Sequence, residues 1–124
     1  RLHNFYTKVL GLADMPVEMF PRTEAQAGAG YDGDIKFATD GGMQMHPAQR
    51  DLTVAFRNGQ SLNPVARGHI AFRTDDLAQV LAELEASGIP YADYGTAFSA
   101  EWHQVFFQDP EGNVIEVHQQ VAKA

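Results

Sequence analysis

Apolar positions along this chain fall first at helical spacing and then in short alternating runs. Leu2, Phe5, Tyr6, Val9 and Leu10 recur one turn apart and Gly11 follows them, which predicts an amphipathic helix with a glycine stop. Met15 to Phe20 suits a strand, and the Ala/Gly-rich stretch from Thr23 to Gly33 has no period and reads as a mobile loop. "DIKFAT" predicts a strand, Asp40-Gly41-Gly42 a tight turn, and "MQMH" the returning strand, halted by Pro47. Ala48 to Arg67 reads as a polar connector.

The second half is patterned more sharply. "GHIAF" alternates as a strand. Asp75 or Asp76 can cap a helix whose apolar face is Leu77, Val80, Leu81 and Leu84, and Ser87-Gly88 ends it. Ile89 to Tyr94 is a strand candidate and Thr96 to Glu101 a loop. Gln104 to Gln108 and Asn113 to His118 form a hairpin around Asp109-Pro110-Glu111-Gly112, whose carboxylates belong to the turn.

The halves repeat one another. A helix ending in Leu10-Gly11-Leu12 matches one ending in Ser87-Gly88-Ile89, and placing Gly42 on Gly112 sets His46 on Glu116 and Gln44 on Val114. The first copy lacks a counterpart of "GHIAF", so its opening strand is expected upstream of Arg1. The expected organisation is one domain over 1–124: a first module over 1–50, a connector over 51–67 and a second module over 68–121.

Composition narrows the function. A length of 124 residues with 44% hydrophobic content suits a single core. The net charge of −7, with no Lys/Arg cluster, excludes a nucleic-acid partner or an anionic membrane surface. With no cysteine, any metal must be held by His, carboxylate, amide or water. No run is long enough to span a membrane, and a cytoplasmic protein is the expectation.

Glu116 stands out because glutamate is depleted in strands and a carboxylate facing an enclosed space needs a partner. Side chains alternate across a strand. Ile70 and Phe72 should therefore pack on the helix while His69, Ala71 and Arg73 take the other face. Ile115 and Val117 go with the helix, leaving Val114, Glu116 and His118 beside His69. Met43 and Met45 are packing candidates, which leaves Gln44 and His46 for the same open face. Trp102, Gln104 and Phe106 share one parity and can wall a pocket, and Arg73 can meet an anionic substrate group. The competing structural readings are a metal-free hydrogen-bonded pair for His69 and Glu116, a strand-end cap for His46, core packing for the aromatic strand, solvation for Arg73, and surface positions for His3, His103 and His118.

"FYTKVLGL", "GHIAFRTDDLAQVLAELEASGI" and "VFFQDPEGNVIEV" together resemble the vicinal oxygen chelate superfamily, which includes glyoxalase I, fosfomycin-resistance transferases, extradiol dioxygenases and bleomycin-binding proteins. The resemblance covers nearly the whole chain. It implies an α+β fold of paired βαβββ modules, whose curled, cup-shaped mixed sheet carries helices outside and surrounds a divalent metal. By motif position it implies His69 and Glu116 as metal ligands, with His46, and less directly Gln44, where glyoxalase I carries a glutamate. A divalent ion such as Zn, Ni, Mn or Fe suits that donor set. The implied activity is a metal-dependent lyase or isomerase on a small oxygenated or thiol-conjugated substrate, with Glu116 and His46 catalytic. The alternatives are a metal-free binder that sequesters an antibiotic-type small molecule and a ring-cleaving extradiol dioxygenase. The resemblance also implies a homodimer.

Overall fold

The computed structural model describes residues 1–16, 31 and 33–121. Its elements are helices α1 (Leu2–Asn4), α2 (Val54–Arg57) and α3 (Leu77–Ala86), a π-helical turn at Phe5–Val9, and strands β1 (Ala13–Met15), β2 (Phe37–Thr39), β3 (Gln44–Met45), β4 (His69–Arg73), β5 (Tyr91–Gly95), β6 (Trp102–Gln108) and β7 (Val114–Gln120). Two sheets result. One has the antiparallel order β1-β2-β3, and the other has the mixed order β4-β7-β6-β5, with β4 parallel to β7 and the other pairs antiparallel. This is the expected α+β class, and from β4 onward the chain runs β, α, β, β, β.

Local signals explain the second half well. Asp76 caps α3 by accepting from the Gln79 N–H at 3.1 Å. At the other end Gly88 takes φ +67, the Ile89 N–H reaches the Leu84 carbonyl at 2.9 Å, and the Gly88 N–H reaches that of Glu85 at 3.1 Å. That left-handed residue with two crossed bonds satisfies carbonyls the helix end would otherwise leave bare. The Asp109 carboxylate accepts from the backbone of Glu111 and Asn113 and closes the β6–β7 turn, as expected for turn chemistry.

The core has two parts, one on each face of the larger sheet. On the helix side Leu77, Val105 and Val117 are buried, with Val80, Leu81 and Ile115 packed around them. On the other side Val54, Ala92, Tyr94 and Phe106 are buried, with Phe98 and Val114 against them.

Several expectations are corrected. Ile70 and Phe72 do not pack on the helix; they are 61% and 56% exposed. Among the described residues β4 pairs with β7 alone, at the sheet edge, and α3 lies against β7. Met43 is likewise exposed, because β3 starts one residue later and leaves Met43 in the turn. The first helix exposes Leu2, Phe5, Val9 and Leu10 and buries no residue. The connector over 51–67 is not merely polar: α2 sends Val54 fully into the core, and Asp51 holds Arg57 at 2.7 Å beside it. The strand expected over Met15 to Phe20 begins earlier and includes only Met15 of that range among the described residues; most of that range and most of the loop from Thr23 to Gly33 lie outside them. No helix among the described residues is long and apolar enough to cross a membrane.

The burial difference between α3 and β4 is measurable. Leu77→Ala is expected to destabilise the protein by about 2–5 kcal/mol, whereas Ile70→Ala should stay within about 0.5 kcal/mol of wild type. Chemical denaturation of both variants checks this, and an equal loss in the two would contradict the edge placement of β4.

Candidate functional site

Strand register alone gathers the site. β4 pairs with β7 so that His69 lies opposite Val114, Ala71 opposite Glu116 and Arg73 opposite His118. β6 pairs with β7 so that Gln104 lies opposite His118 and Phe106 opposite Glu116. His69, Glu116, His118, Gln104, Phe106, Trp102 and Arg73 therefore share one face of three adjacent strands. Ala71, the residue directly across from Glu116, is too small to separate the carboxylate from His69 one pair away.

Glu116 is the centre. Its side chain is 7% exposed. Its Oε1 lies 3.0 Å from His69 Nε2, while its Oε2 accepts from His118 Nδ1 and, at 3.3 Å, from Gln104 Nε2. Burial by itself raises the carboxyl pKa. Hydrogen bonds from His118 and His69, with the charges of the same two rings, more than reverse that effect and hold the group at about 2. Glu116 is thus an anion at neutral pH despite its burial.

His69 is oriented at both ends of its ring. Nδ1 lies 2.9 Å from the Pro64 carbonyl, which can only accept, so Nδ1 carries a proton. A neutral ring then has its lone pair on Nε2, pointing at the Glu116 oxygen. Two acceptors at 3.0 Å attract only when positive charge sits with them, either a second ring proton or a cation that both atoms coordinate. Phe106 meets the imidazole edge-on, with ring centroids 5.3 Å apart, and fixes its plane.

The remaining predicted residues fall as follows. Phe106 is buried in the core and contributes to the site by holding His69. Gln104 is 6% exposed, and its Oε1 has no hydrogen-bond partner among the described residues. Trp102 meets the His118 ring at 4.8 Å, and the Arg73 guanidinium sits 4.5 Å over the Trp102 ring, so Arg73 is engaged with an indole rather than simply solvated. Gln44 on β3 and His46, one residue past the strand's end, place Oε1 and Nε2 3.0 Å apart, and the His46 ring lies 4.3 Å from that of Phe37. Desolvation pulls the His46 pKa below the ordinary imidazole range. The Glu116 charge opposes that shift, and those of His69 and His118 add to it, so His46, just past β3, lies in the field of the larger sheet's cluster. Among the described residues no three His, Asp or Glu side chains are grouped to hold a metal ion, so His46 does not join His69 and Glu116 in a three-ligand cluster.

Three histidines can be compared with their surface readings. His118 is not a rim residue, because its bond to Glu116 draws it inward. His3 is not a plain surface residue either: its Nε2 meets both the Phe37 carbonyl at 3.1 Å and Asp14 at 2.9 Å, tying the first helix to β1 and β2. His103 takes the opposite parity and pairs with Asp93 at 2.7 Å, away from Glu116. The Pro64 carbonyl is a participant no side-chain pattern reveals, whereas His118 was signalled by its shared parity with Glu116.

Residues 1–117 match the family model of the glyoxalase/bleomycin resistance protein/dioxygenase superfamily. The chain belongs to this superfamily. Among solved structures, a superfamily member from Vibrio splendidus 12B01 superposes with a TM-score of 0.57 at 14% identity, covering 96% of this chain and 87% of that one. A lactoylglutathione lyase from Agrobacterium tumefaciens is 24% identical, with a TM-score of 0.32 and coverage of 94% and 81%. An antibiotic binding protein from a Streptomyces species is 18% identical, with a TM-score of 0.38 and coverage of 95% and 83%. No curated protein matches the chain.

Superfamily members include metal-dependent enzymes, and the donor chemistry here fits a divalent ion. Once its Nε2 proton is displaced, His69 would present that nitrogen to an ion with Nδ1 still anchored to a backbone carbonyl, the usual way a ligating imidazole is oriented. Glu116 offers an ionised oxygen 3.0 Å from that nitrogen, and imidazole with carboxylate is a donor pair that suits a divalent ion.

The depressed Glu116 pKa sets a pH dependence. The folded value of about 2 lies below the ordinary 4.5, so roughly 3 kcal/mol of stability should be present above pH ~5 and lost as pH falls toward 2. Urea unfolding of wild type and Glu116→Gln in chelator should show a gap that closes across that window; a gap independent of pH would show that the carboxylate is not held ionised.

Proposed function

We propose that this superfamily member is a glyoxalase-like, divalent-metal-dependent enzyme of lyase or isomerase type, acting on a small oxygenated or thiol-conjugated substrate. The observation that carries the reading is the approach of His69 Nε2 to Glu116 Oε1 at 3.0 Å, in a ring already anchored through Nδ1. His69 and Glu116 hold the ion in this reading. When bound there, a divalent ion supplies Lewis-acid stabilisation to negative charge developing on a substrate oxygen.

The chain's own residues supply the rest. The Pro64 carbonyl and the Phe106 edge keep His69 aimed, His118 helps keep Glu116 ionised, and Gln104 and His118 together hold its Oε2 in place. Lyase or isomerase chemistry needs a base for a carbon-bound proton, and Gln44, a neutral amide, cannot serve. His46 can. Its lowered pKa keeps the ring neutral at pH 7, and with Nε2 donating to Gln44 Oε1 the basic nitrogen of that ring is Nδ1. The Arg73–Trp102 pair beside His118 gives the site a cationic, aromatic border suited to an anionic group on the substrate.

Protein purified without chelator should carry close to one divalent ion per chain, and Glu116→Ala should carry none. Absence of metal from wild type, with small-molecule binding retained in Glu116→Ala, would instead favour a sequestering protein. His46→Ala should keep the metal yet lose about 10²–10⁴ in turnover across a panel of hydroxycarbonyl and thiol-conjugate substrates; unchanged turnover would remove His46 as the base.

A further inference from the structure

We infer that His118 is a positioning residue that restricts Glu116 to one ligating oxygen. The inference rests on the metal reading above and concerns how the carboxylate is presented. The two oxygens of Glu116 have different surroundings. Oε2 is claimed twice, by His118 Nδ1 and by Gln104 Nε2 at 3.3 Å, whereas among the described residues Oε1 is bonded to His69 Nε2 alone, at 3.0 Å. Gln104 and His118 lie opposite each other in the β6–β7 register, one same-face pair along from Glu116, so both Oε2 donors reach it from the same side.

His118 is in turn held. The Trp102 ring meets it at 4.8 Å with planes 65° apart, and Arg73, opposite His118 on β4, covers Trp102 at 4.5 Å. The order Arg73, Trp102, His118, Glu116 thus runs from the sheet edge to the buried carboxylate, each member fixing the next. A carboxylate with Oε2 engaged cannot chelate through both oxygens. One more coordination position is therefore left for substrate, and the entropy of orienting Glu116 is already met before any ion arrives.

Cobalt(II) titration of chelator-stripped protein, followed by visible absorption, tests this without any substrate. His118→Leu removes the donor, and His118→Asn puts an amide N–H where Nδ1 sits. We expect His118→Leu, or His118→Ala if the leucine variant is misfolded by circular dichroism, to weaken cobalt binding about 10–100-fold with an altered visible band, and His118→Asn to return both to within a factor of about 3 of wild type. Wild-type affinity and an unchanged band in the leucine or alanine variant would overturn the inference while leaving the metal reading intact, as would an asparagine variant no better than leucine. If wild type itself binds no cobalt, the metal reading falls and this inference falls with it.

Discussion

A buried carboxylate between two imidazoles and an amide is the constraint around which the larger sheet is organised. Taking the Glu116 charge out of water costs several kcal/mol unless donors replace the lost solvation. Here the donors arrive from both neighbouring strands and from its own. β4 supplies His69, β6 supplies Gln104, and β7 supplies His118 two residues on. A register slip by one residue in β4 or β6 would turn His69 or Gln104 to the opposite face and leave the charge short of donors. The same carboxylate therefore specifies strand pairing and defines the site.

The apolar groups do the complementary work. Val117 and Val105 point from the same strands into the layer under α3, while Phe106 and Tyr94 fill the other side with Val54 from the connector. Phe106 belongs to both roles, since its edge fixes the His69 plane while its body is core. Because both faces of β6 are buried at Gln104–Phe106, that strand is the rigid backing of the site. β4, which among the described residues pairs along one edge and exposes Ile70 and Phe72, is the least supported of the three strands that carry it.

Legibility in the sequence follows how local each determinant is. The capped helix, the Asp109 turn and the alternation of "VIEVHQ" are decided within a few residues, so α3, β6, β7 and the shared face of His69 and Glu116 could all be read directly. Burial of Val54 could not, because a four-residue helix has too few positions to show a period and depends on what it meets. The exposure of Ile70 and Phe72 is a property of strand order: the same alternating pattern is buried in a central strand and open at an edge. The roles of His118 and His3 are not legible for a related reason, since a lone histidine reveals nothing about its partners until Glu116, Asp14 and the Phe37 carbonyl are brought beside it.

The most direct test of the central claim is the ¹⁵N resonance pair of the His69 ring, measured near pH 7.5 with and without zinc. The account predicts a protonated Nδ1 throughout and a Nε2 whose resonance shifts on stoichiometric zinc addition in wild type and not in Glu116→Ala. A Nε2 that keeps its own proton and ignores zinc would mean that His69 and Glu116 form an ordinary ion pair, and the metal-centred account would be wrong.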